Sequence, residues 1–345
     1  MREISPIFYL LQPENLPISR DRLRCGDIVQ EVLSHILNLT RNENTILDGI
    51  HQAFSLLAPS FEGISVVKED PLESLENRAN DEAFNIKRVN GNPSYVLTYS
   101  TLQSYAGMLE DALDIGTSLS EVEWTKLNLA YISIFDMLRG GITPINSFKF
   151  STIMPKKSRT YNNENERDGM RRWVCGHYVF MSIVQAMIVA LNFFSSEVAN
   201  DDIQASQLAI DRAILLMKGS ESALKFTGDF SRRSYEQSVR PSLSPPKAPR
   251  GMSGVNWRDH EYLIKKVFRK LQPIFLNPPL EVKAKLYDFL DALKDAYDAH
   301  KLVCSFFVGN DKPSLLSKKS AMNMLESYKQ NRVAVLKKPQ KGLRV

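Results

Sequence analysis

Apolar residues recur at three- and four-residue intervals along most of the chain, which places them on one face of a helix. In the first half this pattern predicts helices at residues 28–37, 45–57, 102–113 and 120–138. In the second half it predicts helices at residues 170–197, 203–218, 258–271 and 282–308. We therefore expect a mainly α protein, built as a helical bundle.

Two short segments, residues 64–67 and 95–98, are rich in β-forming side chains and predict a small β element in the N-terminal part. The charged segment between them, residues 68–91, predicts a loop. Gly140 and Gly141 predict the end of the preceding helix, because glycine is common just past a helix C-terminus.

Polar and proline-rich segments interrupt the helical pattern. Residues 155–169 have no apolar face and predict a loop or linker, and the prolines within residues 240–254 predict an irregular connection. The resulting division is an N-terminal mainly helical region at 1–154, the linker at 155–169, a second helical region at 170–325 and a basic C-terminal tail at 326–345.

Composition restricts the class of protein. The 345 residues are 43% hydrophobic and 24% charged, which suits one large globular domain or two modest ones. The net charge of +5 is spread along the chain, so a nucleic-acid partner is not expected. No stretch has the roughly 18 apolar residues that span a bilayer, and no signal-peptide pattern is found, so we expect a cytoplasmic protein without a membrane partner.

The helix predicted at residues 282–308 carries the most informative pair. His300 and Cys304 lie on its apolar face, one turn apart. A buried imidazole needs a partner, because an unpaired polar group in a core costs about 1–3 kcal/mol. The pair suits a core histidine beside an inert cysteine, a zinc site or a haem site, although no second Cys/His pair completes four zinc ligands. Spacing alone leaves the structural and haem interpretations open.

Two further histidines are candidate site residues: one lies in an apolar helix and the other lies near an arginine. His177 lies in a helix that is apolar on nearly every side, which suits a core histidine or a site residue. His260 follows the proline-rich segment, two residues after Arg258. An arginine at the mouth of a pocket can bind a carboxylate through two parallel hydrogen bonds. By contrast, His35 and His51 have no ligand-like neighbours and are expected to be structural.

A cationic cluster comprises Arg232, Arg233, Tyr235 and Arg240. Such a cluster suits either the binding of carboxylates and haem propionates or a solvated surface. In order along the chain these motifs resemble the tryptophan 2,3-dioxygenase superfamily. The resemblance covers about residues 170–320 and implies a helical bundle of that type. It rests on His177, on residues 227–230 with the arginines of 232–240, on residues 251–253 with Arg258, and on residues 300–309.

A distant histidine followed by His-x-x-x-Cys is similar to the histidine-ligated haem aromatic hydroxylases within that superfamily, those of saframycin-type biosynthesis included. Here the motif is formed by His260, His300 and Cys304. The resemblance implies haem b, with the two histidines as axial ligands and one thioether bond to the cysteine. Because six-coordinate iron cannot bind peroxide, His260 is expected to leave the iron during turnover.

The activity implied is hydroxylation of L-tyrosine or 3-methyl-L-tyrosine to a catechol, in tetrahydroisoquinoline-type biosynthesis. Hydrogen peroxide is the expected oxidant, since the chain has no flavin or NAD fingerprint. His177 is expected to polarise peroxide or accept the phenol proton, with a pKa near the working pH. Arg258 or Arg240 is expected to bind the substrate carboxylate, with Tyr235 and Ser253 nearby. Arg232 and Arg233 are the candidates for the haem propionates.

The chain departs from the dioxygenase pattern after Gly309, where the sequence NDKPSLLSKKS stands in place of a threonine- and glycine-rich loop. This departure favours a substrate other than tryptophan. Three alternatives stay open at this point: a dioxygenase of a tryptophan-like substrate, a bis-histidine haem sensor or carrier, and a helical scaffold without a cofactor. The oligomeric state also stays open, with a homodimer as one option.

Overall fold

The structure is a computed structural model that describes residues 6–39, 46–57, 63–148, 169–243, 257–309 and 320–337, with residues 248 and 254. Its helices are α1 (Asp27–Leu39), α2 (Ile46–Leu57), α3 (Leu75–Ala83), α4 (Pro93–Ile115), α5 (Glu121–Leu138), α6 (Gly169–Ala199), α7 (Ile203–Thr227), α8 (Arg232–Ser234), α9 (Arg240–Ser242), α10 (Arg258–Tyr262), α11 (Phe268–Leu276), α12 (Leu280–Val308) and α13 (Ala321–Lys337). The strands are β1 (Phe8–Leu11), β2 (Ser65–Val66) and β3 (Ile86–Asn90). Helices dominate, so the prediction of a mainly α protein with a small β element is confirmed.

Long helices form the core. Helix α7 packs against α5, α6 and α12, and α4 packs against α6. One apolar cluster includes side chains from both halves of the chain. Within the described residues, α6 is the one helix long and apolar enough to cross a membrane, but 83% of its most apolar stretch is buried inside the protein. Burial on all sides explains why this helix is apolar nearly all round.

A three-stranded sheet lies beside this core, in the order β1-β3-β2. Strand β1 runs parallel to β3, and β2 pairs with β3 in the antiparallel direction. The hydroxyl of Tyr178 on α6 donates a 2.6 Å hydrogen bond to the carbonyl of Phe84, and its ring stacks on Phe8 at 4.3 Å between centroids. The sheet is therefore attached to α6 next to His177.

The prediction of a β segment at residues 95–98 is wrong, because these residues lie in the first turns of α4. Asn92 caps this helix by accepting hydrogen bonds from the backbone amides of Ser94 and Tyr95, and Pro93 occupies its first position. The cap and burial against the core decide the structure here, over the β preference of the side chains.

The prediction of a loop at residues 68–91 is also wrong, because the segment contains α3 and β3. Helix α3 begins with a capping box between Ser74 and Asn77, in which each side chain accepts from the other's backbone amide. The usual box has glutamate or glutamine at the second position, so the asparagine hid this start signal. The strand at residues 64–67 is confirmed, in the shorter form of β2.

The segment 258–271 is not the single regular helix that was predicted. It consists of the short α10, a π-helical turn at Leu263–Val267 and α11. The tail predicted from residue 326 is helical as far as Lys337, because α13 packs against α11 and α12 and buries Leu336. Most of the predicted linker, residues 155–168, and the last residues, 338–345, lie outside the described residues.

Helices α6 and α7 approach closely at Gly176, where a Cβ atom would lie 2.6 Å from Thr227 Cα. We expect Gly176→Ala to lower the free energy of unfolding by roughly 1–3 kcal/mol, because overpacking forces the helices apart. Gly107→Ala in α4 is the matched control: its Cβ would lie 3.6 Å from Cys175 Sγ, an ordinary contact, and alanine favours a helix. Urea unfolding measures both variants, and equal losses would contradict the close approach.

Candidate active site

An apolar cavity of about 300 Å³ lies among α6, α7, α10, α12 and α13. His177, His260, His300 and Cys304 all line it, on three different helices. The structure thus brings together side chains that are far apart in the sequence. Most of the remaining wall is aliphatic or aromatic, so polar groups in the cavity have little contact with water.

Helix α12 presents His300 and Cys304 to the cavity, one turn apart. Burial lowers the pKa of the His300 imidazole to about 4 and raises the pKa of the Cys304 thiol to about 11. At neutral pH the imidazole is therefore uncharged and the thiol keeps its proton. An uncharged imidazole has the free lone pair that coordination to a metal requires.

The tautomer of His177 follows from its hydrogen bond. Its Nδ1 lies 2.6 Å from the carbonyl oxygen of Trp173, one turn earlier in α6. A carbonyl can only accept, so Nδ1 donates and Nε2 keeps its lone pair. Burial lowers the pKa of His177 to about 4; the hydrogen bond to Trp173 opposes this shift, and the charge of nearby His300 acts in the same direction as burial. The prediction of a pKa near the working pH is wrong, because the ring is desolvated.

Aromatic rings surround His177. Phe84 stacks on the imidazole at 4.3 Å between centroids, and Trp173 and Trp257 lie at 4.3 and 5.9 Å. Both indole Nε1 atoms are buried and have no hydrogen-bond partner within the described part of the chain. An unpaired buried donor is costly, so these N–H groups are available to a bound group.

These rings were missed by sequence reasoning. Trp173 lies one turn before His177, and this spacing was a usable signal. Phe84 had no such signal, because it reaches the cavity from the turn between α3 and β3, a segment with no motif.

Arg240 and Tyr235 also line the cavity, at the two ends of a π-helical turn. The Tyr235 ring is buried and stacks on Phe307 at 4.5 Å between centroids. Burial raises the pKa of its phenol, while the positive charge of Arg240 opposes that shift. Among the described residues the Arg240 guanidinium has no ion-pair partner. It is therefore available to an anionic ligand of the cavity.

The other arginines predicted for the site lie elsewhere. Arg258 does not line the cavity, and its buried guanidinium forms ion pairs with Asp70 and, at 2.8 Å, with the more exposed Glu14. These carboxylates already neutralise its charge, so its surroundings do not match the predicted role in substrate binding. Arg232 and Arg233 are exposed and outside the cavity, which does not match a role in binding propionates. Ser253 lies outside the described residues.

Comparison with known proteins identifies the family. The model of the SfmD 3-methyl-L-tyrosine peroxygenase family matches residues 9–288. The chain belongs to this family. A 3-methyl-L-tyrosine peroxygenase of Streptomyces lavendulae is 32% identical over 338 residues, which cover 95% of this chain and 90% of the relative. The crystal structure of reduced SfmD, soaked with sodium hydrosulfite, matches with a TM-score of 0.67 and 29% identity, covering 86% of this chain and 96% of the other.

Membership of the SfmD peroxygenase family confirms the resemblance drawn from the histidine and cysteine motif, and it confirms the prediction of an enzyme. The match to the SfmD structure covers most of both chains and is consistent with the predicted helical bundle. The family match includes His177, Arg240 and His260 and ends before His300, which lies in the longer region shared with the Streptomyces relative.

Proposed function

We propose that this SfmD-family enzyme hydroxylates the ring of 3-methyl-L-tyrosine, or of L-tyrosine, with hydrogen peroxide. One oxygen atom of peroxide enters the ring C–H bond ortho to the phenol, and the other leaves as water, so the product is a catechol. The observation that carries the proposal is the apolar cavity lined by uncharged imidazoles, a thiol and an arginine that has no ion-pair partner in the described part of the chain. The 32% identity to a 3-methyl-L-tyrosine peroxygenase supports the substrate class.

Haem b is the cofactor we propose: His300 and His260 would hold its iron, and Cys304 would attach it to the chain through a thioether bond. Within the described residues no group of three or more His, Cys, Asp or Glu side chains is arranged to hold a bare metal ion. Haem fits this donor set, because its macrocycle would supply most of the ligands to the iron and leave the rest to imidazoles. The apolar wall fits the same cofactor. Bound haem would supply the activation of peroxide for oxygen transfer to an aromatic ring.

His177 is the proposed proton acceptor. Its Nδ1 proton is held by the Trp173 carbonyl, and Nε2 keeps a lone pair within the cavity. Because its pKa is lowered to about 4, the ring is unprotonated at pH 7 and can accept a proton from the phenol or from peroxide. The stacked ring of Phe84 keeps the imidazole in place and limits its contact with water.

Arg240 is the proposed partner of the substrate carboxylate. An amino acid that enters an apolar cavity loses the water around its carboxylate, which is costly unless a cation pairs with it. A guanidinium can form two parallel hydrogen bonds to a carboxylate and so fix the orientation of the whole substrate. Tyr235 lies close to Arg240 and forms part of the same wall. We propose Arg240 in preference to Arg258, which already has two carboxylate partners.

Covalent attachment of haem through Cys304 is tested by extraction. We expect haem to stay with the wild-type chain in acidified organic solvent, and to be released from Cys304→Ala, because the thioether is absent. Denaturing mass spectrometry should show the wild-type chain heavier by one haem. Cys25→Ala, at a cysteine outside the cavity, is the matched control and should retain its haem. Equal release from the wild type would contradict the thioether.

The two axial ligands are distinguished by absorption spectra. We expect a six-coordinate, low-spin iron in the resting wild type. His260→Ala should keep its haem and become high-spin, because only His300 remains as a protein ligand. His300→Ala should bind haem poorly. His51→Ala, at an exposed histidine that pairs with Glu110, should leave the spectrum unchanged. A low-spin His260→Ala protein would argue against the assignment.

The substrate is tested by product analysis with hydrogen peroxide and 3-methyl-L-tyrosine, L-tyrosine, tyramine or L-tryptophan. We expect catechols from the two tyrosines and little turnover of tyramine, which lacks the carboxylate. Arg240→Leu should raise KM about tenfold or more, because the substrate carboxylate loses its partner. Misplacement of the ring should also lower the rate. Arg269→Leu, at an exposed arginine of α11, should match the wild type. If tryptophan and oxygen give N-formylkynurenine while the phenols do not react, the result would favour a dioxygenase. If no substrate reacts, the result would favour a haem carrier.

A further inference from the structure

Helix α10 presents His260 to the cavity from the first turn of a longer helical segment. The helix, Arg258–Tyr262, continues through a π-helical turn into α11, and its N-cap residue Trp257 makes no side-chain capping hydrogen bond. The first turn of a helix has backbone amides without partners inside the helix, and helix ends fray. By contrast, His177 and His300 lie within helices of 31 and 29 residues. The orientation of His260 therefore depends on contacts that hold this helix end.

The backbone directly after His260 adds to this need. Helix α10 continues into a π-helical turn, Leu263–Val267, in which the hydrogen bonds span one residue more than in an α-helix. Such turns change the direction in which side chains leave the helix axis, and they are frequent at functional sites. Long-range contacts lie on both sides of His260: Asn77 donates a 3.4 Å hydrogen bond to Glu261, and two sets of ion pairs act on the residues just before His260.

The first set of contacts holds Arg258, two residues before His260. Its guanidinium pairs with Asp70 and, at 2.8 Å, with Glu14. Gln12 donates a 2.7 Å hydrogen bond to the same Asp70 carboxylate. Arg258 and the Asp70 side chain are 4% and 7% exposed, so water screens this pair little, whereas Glu14 is 35% exposed.

The second set holds Asp259, directly before His260. Arg88 Nη2 lies 2.6 Å from Asp259 Oδ2, and Arg88 Nε donates a 2.7 Å hydrogen bond to Asp81. Gln185 of α6 donates a 2.7 Å hydrogen bond to the other oxygen of Asp259. Arg88, Asp81 and Asp259 are all buried. The two sets attach α10 to the β1–β3 region and to the helix that carries His177.

Buried ion pairs contribute little net stability, because the cost of removing charges from water offsets their attraction. Their best-attested use is to select one arrangement among several. Here two such pairs, Arg258–Asp70 and Arg88–Asp259, act on consecutive residues of the helix that presents His260. Both sets of contacts thus act on the first turn of the helical segment that carries His260.

We propose that Glu14, Asp70, Asp81 and Arg88 form an ionic clamp that positions His260 through Arg258 and Asp259. The clamp gives residues 8–90 a role in the site, although among the described residues of this segment only Asn80 and Phe84 line the cavity. His260 is taken as an axial ligand, so the inference rests on the proposed function. The clamp residues are positioning residues, since none of them lines the cavity.

The experiment uses the haem-loaded protein and the variant Asp259→Asn. Asparagine has nearly the same shape, and Arg88 keeps Asp81 as a partner, so no buried cation is left without a counter-charge. We expect the low-spin fraction to fall and added imidazole to bind about tenfold more tightly, because it competes with a less well placed His260. Arg88→Lys keeps the charge but loses the planar fork, and we expect a change in the same direction.

The matched control is Asp111→Asn, at a second buried arginine that shares two carboxylates. There Arg172 pairs with Asp111 and, at 3.2 Å, with Asp229, away from α10. This variant should lose a similar amount of stability in urea unfolding but keep the wild-type spectrum and the wild-type affinity for imidazole. A general loosening of the protein would change both variants alike.

Each outcome decides between the clamp and its alternatives. Low-spin spectra and imidazole affinities within about twofold of the wild type, in Asp259→Asn and in Arg88→Lys, would overturn the clamp, as would equal spectral shifts in Asp111→Asn. If Asp259→Asn does not fold, Arg88→Lys decides alone. If His260→Ala leaves the wild-type spectrum unchanged, the axial assignment in the proposed function is what fails, and the clamp fails with it. If the wild type is low-spin and His260→Ala is high-spin, the axial assignment holds, and the two variants then test the clamp alone.

Discussion

Desolvation of the cavity beside α6 and α12 is the constraint on which the other properties of the site depend. It keeps His177 and His300 uncharged and Cys304 protonated at neutral pH. In the same environment a charge without a partner is costly. Arg240 lines the cavity and has no ion-pair partner among the described residues, so it is the arginine that can pair with an anionic ligand there. Arg258, by contrast, already has two carboxylate partners.

The cavity wall combines rigid and adjustable elements. The long helices α6 and α12 hold His177 and His300 in fixed positions relative to each other, since both pack against α7. The two π-helical turns, Tyr235–Val239 and Leu263–Val267, lie beside the other two polar contributions, Arg240 and His260. His260 lies at the end of its helical segment, next to residues that long-range ion pairs hold, whereas His177 and His300 lie within long helices.

The first 90 residues contribute to the site through contacts that no local pattern reveals. Phe84 stacks on His177 from the turn between α3 and β3. Charged side chains of the same region pair with Arg258 and Asp259, just before His260. An apolar sheet face alone would bury surface, but it would not select one orientation of a five-residue helix. Buried charges with directional partners can do so.

The sequence by itself determined the helical class, because hydrophobic periodicity is a local property, and it determined the His300–Cys304 pair, because four residues make one helical turn. The order of motifs also led to the correct family. Tertiary structure alone decided that 95–98 is helical, that Arg240 rather than Arg258 faces the cavity, and that His177 has a lowered pKa. The helix at 95–98 depends on its cap and on burial, and the pKa of His177 depends on desolvation. The pairing of Arg258 depends on Glu14 and Asp70, more than 180 residues away along the chain, and periodicity encodes neither burial nor such distant partners.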